Sequence, residues 1–155
     1  MVKFIHGNAD CTGSRLIVDL SPATRNSEGV YTFSICQQSS VARINSDGTK
    51  TLADFDGEEA VFAMKANQAA HLMLVLNGKA ESINGGKGVF DNGNGYASIL
   101  HCDRMRGKPY GYVLHIITKK SSATINGRIT LNPTEAYLLL KSIENSIGRI
   151  CYEQK

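Results

Sequence analysis

The chain has 155 residues, a formal net charge of +3, and Leu, Ile, Val and Phe at about a quarter of its length, enough apolar material to build one ordinary core. Its longest uninterrupted apolar run is Leu72 to Leu76, far short of the roughly 18 residues a membrane-spanning helix needs, and 15 Gly with 3 Pro exclude collagen-like and low-complexity classes. The charge is uneven: residues 1–78 carry six Lys/Arg against eight Asp/Glu, a net of −2, and residues 79–155 carry eleven against six, a net of +5.

Period-two alternation begins at Ser14, with Leu16, Val18 and Leu20 on one face, and predicts a first strand ending at Ser21-Pro22. Val30 to Cys36 alternates again with Tyr31, Phe33 and Ile35 on one side. Val41 to Asn45 reads as a third strand, joined through the turn-forming Ser46-Asp47-Gly48-Thr49 to Lys50–Phe55. A short strand over Ala60–Met64 follows an acidic stretch, and the period then lengthens to predict a helix over Asn67–Leu76, stopped by Asn77-Gly78.

The second half repeats this order. Lys79–Ile83 reads as a weak strand and the Gly/Asn-rich segments of 84–95 as flexible connections. Tyr96–Cys102, Tyr110–Lys119 and Thr124–Leu131 read as strands, the last with Asn126-Gly127 as a turn or bulge inside it. A helix then opens with Asn132 as N-cap, Pro133 at its first position and Glu135 at N3, carrying the stripe Ala136, Leu139, Leu140, Ile143 and Ile147. At an offset of 67, Phe62-Ala63-Met64 meets Ile129-Thr130-Leu131, and Leu72, Met73 and Leu76 meet Leu139, Leu140 and Ile143. The expected fold is therefore α+β, a single domain of two pseudo-repeated β-β-β-β-α halves, about 14–78 and 79–150, forming antiparallel sheets.

Apolar residues wrap the whole circumference of the first helix, and Tyr137 and Leu138 lie off the main stripe of the second. A helix apolar all round needs cover on every side. Leu72, Leu74, Leu76, Tyr137 and Leu138 are thus expected at an oligomer interface, unless the long loops cover the helices within one chain.

Most of the positive excess lies between Lys87 and Arg128, where Lys87, Arg104, Arg106, Lys108, Lys119, Lys120 and Arg128 face only Asp91 and Asp103. Such a cluster is either a polyanion-binding surface or a solvated face of loop tips and strand edges. Tyr96, Tyr110 and Tyr112 fall on or beside the same strands and supply rings that either stack on bases or pack in the core. Alternation puts Tyr110 and Tyr112 with Leu114 and Ile116, and Val113, His115 and Ile117 on the opposite face. Chemistry beyond binding finds no support. Gly85-Gly86-Lys87-Gly88 lacks the first glycine and the Ser/Thr of a phosphate loop, and His101 and Cys102, adjacent in a strand, face opposite ways. No metal-ligand spacing or cofactor signature occurs. Cys11, Cys36, Cys102 and Cys151 are far apart and, with no secretion signal in the opening residues, read as reduced, mostly buried thiols of an intracellular protein.

The paired β-β-β-β-α halves, the Gly93-Asn94-Gly95-Tyr96 strand opening and the passage Ile129-Thr130-Leu131-Asn132-Pro133-Thr134-Glu135-Ala136-Tyr137-Leu138-Leu139-Leu140 resemble the Whirly-type fold of plant Whirly proteins and mitochondrial guide-RNA-binding proteins, related to the positive-cofactor-four class. The Lys-Gly-Lys-Ala-rich strand signature of plant Whirlies is absent, with Gly86-Lys87-Gly88 its nearest counterpart. The resemblance implies a homotetramer with central helices and sheets that hold single-stranded nucleic acid, DNA in the first instance or RNA. On this reading Lys87, Tyr96, Arg104, Arg106, Lys108, Tyr110, Tyr112, Lys119, Lys120 and Arg128 are the candidate binding residues, with no enzyme activity. An assembly protein that binds no nucleic acid remains the alternative reading of the same fold.

Overall fold

The structure, a computed structural model, describes residues 1–93, 95–107 and 110–151. Alternating buried residues organise two four-stranded antiparallel sheets, each a meander of consecutive strands. Sheet 1 has the order β1 (Val2–His6), β2 (Ser14–Ser21), β3 (Val30–Gln37) and β6 (Glu59–Met64). Sheet 2 has the order β10 (Ala123–Leu131), β9 (Gly111–Lys120), β8 (Tyr96–Met105) and β7 (Val89–Gly93). Between β3 and β6, β4 (Arg43–Ile44) and β5 (Lys50–Thr51) pair as a small separate arm. Helix α1 (Ala66–Leu76) follows sheet 1; α2 (Pro133–Ser146) and the short α3 (Gly148–Cys151) follow sheet 2.

The α+β duplication is present, but two of its strands differ from those expected. Val2–His6 pairs with β2 and completes sheet 1, so the first repeat begins before Ser14. The Val41–Asn45 and Lys50–Phe55 segments contribute only the two-residue ladder of the arm. In the second half Lys79–Ile83 is not a strand: beyond one isolated bridge from Ser82 to Asp103, Ile83 opens a turn in which Asn84 and Gly85 have φ of 51° and 65°. The strand is instead Val89–Gly93, inside the segment read as flexible. Asn126-Gly127 is neither a turn nor a bulge, since β10 runs in unbroken register with β9.

Gly127 has a different physical reason. A Cβ there would lie 2.7 Å from the Ile35 Cβ and 2.9 Å from the Ala60 Cβ, so its bare backbone lets β10 press against the inner face of sheet 1. The reciprocal contact is polar. The Val61 N–H, on the free edge of β6, donates to Thr118 Oγ1 at 2.9 Å, and the Ser98 hydroxyl donates to the Val61 carbonyl at 2.6 Å. The Ala63 N–H donates to Asp91 Oδ2 at 2.9 Å. Side chains of sheet 2 thereby close the edge of sheet 1. One core runs through both halves, from Leu16, Phe33 and Phe62 to Leu100, Leu114 and Ile129.

Helix α2 is capped as its sequence suggests. Asn132 Oδ1 accepts from the Glu135 N–H at 2.8 Å while Glu135 Oε1 accepts from the Asn132 N–H at 3.1 Å. The second oxygen of Glu135 lies 2.6 Å from His6 Nε2, tying β1 to the start of α2. On α1, Ala69, Leu72, Val75 and Leu76 are buried. Leu72 and Leu76, expected at an oligomer interface, are thus core residues: the sheets and α2 cover that stripe within the chain. Leu74, Tyr137 and Leu138 remain exposed, at 44, 58 and 52%.

Replacing Gly127 with valine is expected to lower unfolding stability by about 1–3 kcal/mol, the usual size of overpacking. A lower urea midpoint at unchanged slope would register it.

Candidate nucleic-acid interface

With the inner faces packed together, the outer face of sheet 2 carries no cover among the described residues. Cross-strand register arranges its side chains in rows. One row is Asn92, Ala97, Lys119 and Thr124. The next is Phe90, Ile99, Ile117 and Asn126. A third, over three strands, is His101, His115 and Arg128. Phe90 is 59% exposed, which is unusual for a strand phenylalanine, and with Ile99, Ile117 and Lys119 it borders a shallow depression of about 210 Å³. His115 Nε2 lies 3.3 Å from Asn126 Oδ1. An apolar row is therefore flanked on one side by an ammonium and on the other by two imidazoles and a guanidinium, a combination suited to flat ligands that carry negative charge.

The candidate residues divide among several places. Lys119 and Arg128 lie on this outer face. Tyr112 is on the inner face, in line with buried Leu114 and Ile116, and its hydroxyl donates to the Leu76 carbonyl at 3.4 Å. Tyr96 also turns inward and donates to Asp91 Oδ2 at 3.0 Å. Burial first, and then the Asp91 carboxylate, push its phenol above the usual tyrosine range. Tyr110 is 62% exposed just before β9. Arg104 and Arg106 lie at the end of β8 beside Tyr112, where Arg106 Nε is 3.5 Å from Glu81 Oε2. Lys120 pairs with Tyr96 at the other end of the strands, about 26 Å from Tyr112 at ~3.3 Å per residue. Lys87 is exposed in the turn before β7. Lys108 lies outside the described residues. The cations thus do not form one cluster: Lys119 and Lys120 lie toward one end of sheet 2, Arg104 and Arg106 at the other, and Arg128 between them.

Phe90, Ile99, His101 and Ile117 were not among the candidates. The signal was the alternation of β9, which sets Val113, His115, Ile117 and Lys119 opposite the more apolar Leu114 and Ile116.

Sheet 1 has an equivalent surface. The helix offset of 67 and the strand registers make Tyr31 equivalent to Tyr112, Val18 to Cys102 and Ile5 to Phe90. The row Ile5, Arg15, Cys36 and Glu59 therefore corresponds to Phe90, Ile99, Ile117 and Asn126. There Arg15 Nη2 meets Glu59 Oε1 at 3.1 Å, so positive charge is partly neutralised within the row.

No family model matches the sequence, and no curated protein does. Solved structures do. The plant transcriptional regulator PBF-2 matches with a TM-score of 0.67 at 12% identity, over 97% of this chain and 81% of that one. WHY1 from Arabidopsis thaliana matches with a TM-score of 0.66 at 11% identity, over 96% and 83%. A guideRNA-binding protein complex bound to a gRNA matches with a TM-score of 0.57 at 14% identity, over 95% and 88%. The chain has the Whirly fold. Near-complete coverage at such low identity means that the Whirly architecture is kept while nearly every side chain differs, so the chemistry of this surface has to be read from its own residues.

In this Whirly fold the four cysteines are all free. Cys36 and Cys102 are buried, whereas Cys11 is half-buried and Cys151 exposed, so only two are the buried thiols expected. Burial first, and then Asp103, push the Cys102 thiol up to about 12. His101, its neighbour, points outward, so the strand separates the two groups as alternation requires.

Two outcomes follow for Cys102. At about pH 8 a disulfide reagent is expected to label Cys151 and Cys11 readily and Cys102 only after unfolding, as counted by mass spectrometry. Above its ordinary value of 9.0 the unfolded thiol ionises while the folded one keeps its proton, so stability falls as pH rises. Wild type should lose about 1.4 kcal/mol per pH unit relative to Cys102→Ala in that window, seen in denaturant melts across pH.

Proposed function

We propose that the protein is a non-enzymatic, oligomeric, largely sequence-independent single-stranded DNA-binding protein acting in DNA replication, repair, recombination or transcription. The observation that carries this reading is the uncovered outer face of sheet 2, where the exposed Phe90 row runs between Lys119 and the His101–His115–Arg128 row. Cations hold phosphates, and an apolar strip takes the faces of unpaired bases that a duplex hides, stacking contributing about 1–3 kcal/mol per base. The shared fold with PBF-2, WHY1 and a guideRNA-binding complex supports binding of nucleic acid as the class. The last of these, bound to a gRNA, is the observation that favours RNA as a second reading.

Self-association rests on the helix surface left uncovered by the chain. By the offset of 67, Tyr137, Leu138 and Lys141 of α2 stand where Ala70, His71 and Leu74 stand on α1, so the exposed Leu74 of one helix and the exposed Tyr137 and Leu138 of the other lie on equivalent faces. We place the homotetramer contact there.

Fluorescence anisotropy with oligo-dT tests the binding. The expected result is sub-micromolar affinity, with duplex bound much less well and log affinity falling with log salt by about 0.7 per phosphate neutralised. Lys119→Ala combined with Arg128→Ala should flatten that slope by about 1.4 and weaken all sequences alike. Arg104→Ala with Arg106→Ala should cost less, because Arg106 is already engaged by Glu81. No binding at low salt would leave an assembly protein, and an oligo-U competitor stronger than oligo-dT would assign RNA. For the oligomer, Leu74→Glu with Leu138→Glu is expected to reduce the mass found in sedimentation while circular dichroism stays native.

A further inference from the structure

We propose that the cleft at the open edge of β10 takes an extended peptide segment by strand addition, with an acidic residue of that segment opposite Arg128. The proposal does not rest on the nucleic-acid reading. The cleft, of about 360 Å³, runs along Arg128, Ile129 and Thr130 and is bordered on the side of sheet 1 by His6, Ser14 and Gln37.

The hairpin fixes which peptide groups face it. Lys120 and Ala123 flank the two-residue turn Ser121-Ser122, so they exchange hydrogen bonds, and by alternation Ile125, Gly127, Ile129 and Leu131 bond β9 as well. Asn126, Arg128 and Thr130 therefore turn their N–H and C=O groups to the free edge. No backbone group among the described residues answers them.

The other half of the duplication shows what such an edge requires. By the offset of 67, Arg128 and Thr130 stand where Val61 and Ala63 stand in β6, whose groups meet an acceptor, a donor and a second acceptor: Thr118 Oγ1, the Ser98 hydroxyl and Asp91 Oδ2. In sheet 1 the register puts Gln37, Ser14 and His6 at those three positions. None of them bonds β10. His6 Nε2 is turned to Glu135 at 2.6 Å and Gln37 is exposed. Ser14 is only 5% exposed, and its hydroxyl, without a partner among the described residues, keeps its remaining access on the cleft it lines.

An antiparallel strand supplies acceptor, donor and acceptor in that order. The residue opposite Arg128 gives a C=O and an N–H, and the residue two places before it gives a C=O to the Thr130 N–H. A phosphate would meet the N–H groups but set an anion against the Arg128 carbonyl, so the carbonyl selects a peptide. A second copy's β10 is the poorer strand, because antiparallel pairing brings Arg128 toward its own counterpart. Among the described lining residues Arg128 alone carries a fixed charge, which calls for Asp or Glu opposite it. The flanking side chains of the added strand point inward, where Ser14 lies on the inner face of sheet 1, and a Ser or Thr there gives its hydroxyl a partner.

The blocked peptide Thr-Val-Ser-Glu-Ser-Val-Thr tests this. At saturation the Arg128 and Thr130 amides are expected to exchange hydrogen about tenfold or more slowly by NMR, with Val61 and Ala63 unchanged and inorganic phosphate slowing neither edge amide. Methylating the backbone nitrogen of the peptide's Glu removes the donor to the Arg128 carbonyl and should weaken binding about tenfold. Thr130→Pro removes an edge N–H that β9 does not use, and should abolish peptide binding with native circular dichroism. The two peptides decide the matter even where that variant fails to fold. Unchanged exchange at both amides, equal affinity of the methylated and unmethylated peptides, or equal slowing by phosphate overturns the proposal.

Discussion

The two sheets are held in place by what happens at the free edge of β6. An edge strand exposes peptide groups that need partners, and here Ser98, Thr118 and Asp91 of sheet 2 provide them for Val61 and Ala63. Ser98 and Thr118 are themselves buried, at 4 and 1% exposure, and their hydroxyls lie 2.9 Å apart. Buried hydroxyls alone would destabilise the core, and unpaired peptides alone would destabilise the edge; brought together, each removes the other's cost. The pairing fixes the inner face of sheet 2 against sheet 1, and Gly127 lets the reciprocal approach come close. Both outer faces are consequently turned away from the shared core.

The duplication keeps the topology and changes the chemistry. By register, Ser14 and Gln37 hold the positions in sheet 1 that Ser98 and Thr118 hold in sheet 2. Instead of clamping the edge of β10, they line a cleft of about 360 Å³ along Arg128, Ile129 and Thr130. One sheet edge is closed by hydroxyls and the other is left open, although the two halves began from the same plan. The outer faces diverge likewise. Ile99 of sheet 2 corresponds to Arg15 of sheet 1, so an apolar platform in one half corresponds to an ion-paired row in the other.

What could be read from the residues depended on which physical signal each element carries. The helices were legible because caps and periodicity are local: Asn132, Pro133 and Glu135 mark α2 before any packing is known. The long strands β2, β3, β8 and β9 alternate strongly, as half-buried strands do. β1 and β7 have only five residues each, and Asn92 and Gly93 resemble a loop. Their strand character comes from pairing with a neighbour, which a single sequence does not display. Leu72 and Leu76 read as surface because a five-residue apolar run has no face of its own; the sheets chose the face. The candidate cations were drawn together by sequence proximity, whereas ten-residue strands carry neighbours in sequence to opposite ends of a sheet.

Alternation also decides what kind of function this surface can support. A nucleophile and a base on adjacent strand residues are separated by the sheet itself, and Cys102, held protonated up to about 12, lies on the buried side. What the outer face retains is rows that cross the strands. Rows two residues apart along a strand lie about 7 Å from one another, so the apolar row of Phe90, Ile99 and Ile117 has Lys119 at that distance on one side and His115 with Arg128 on the other. A chain laid along the apolar row places its flat groups on side chains that prefer to leave water and its charged groups beside cations on either flank. A double helix offers the cations its phosphates but keeps its bases stacked inside. On the function proposed above, the platform would discriminate by what a ligand leaves exposed, with no reading of base edges.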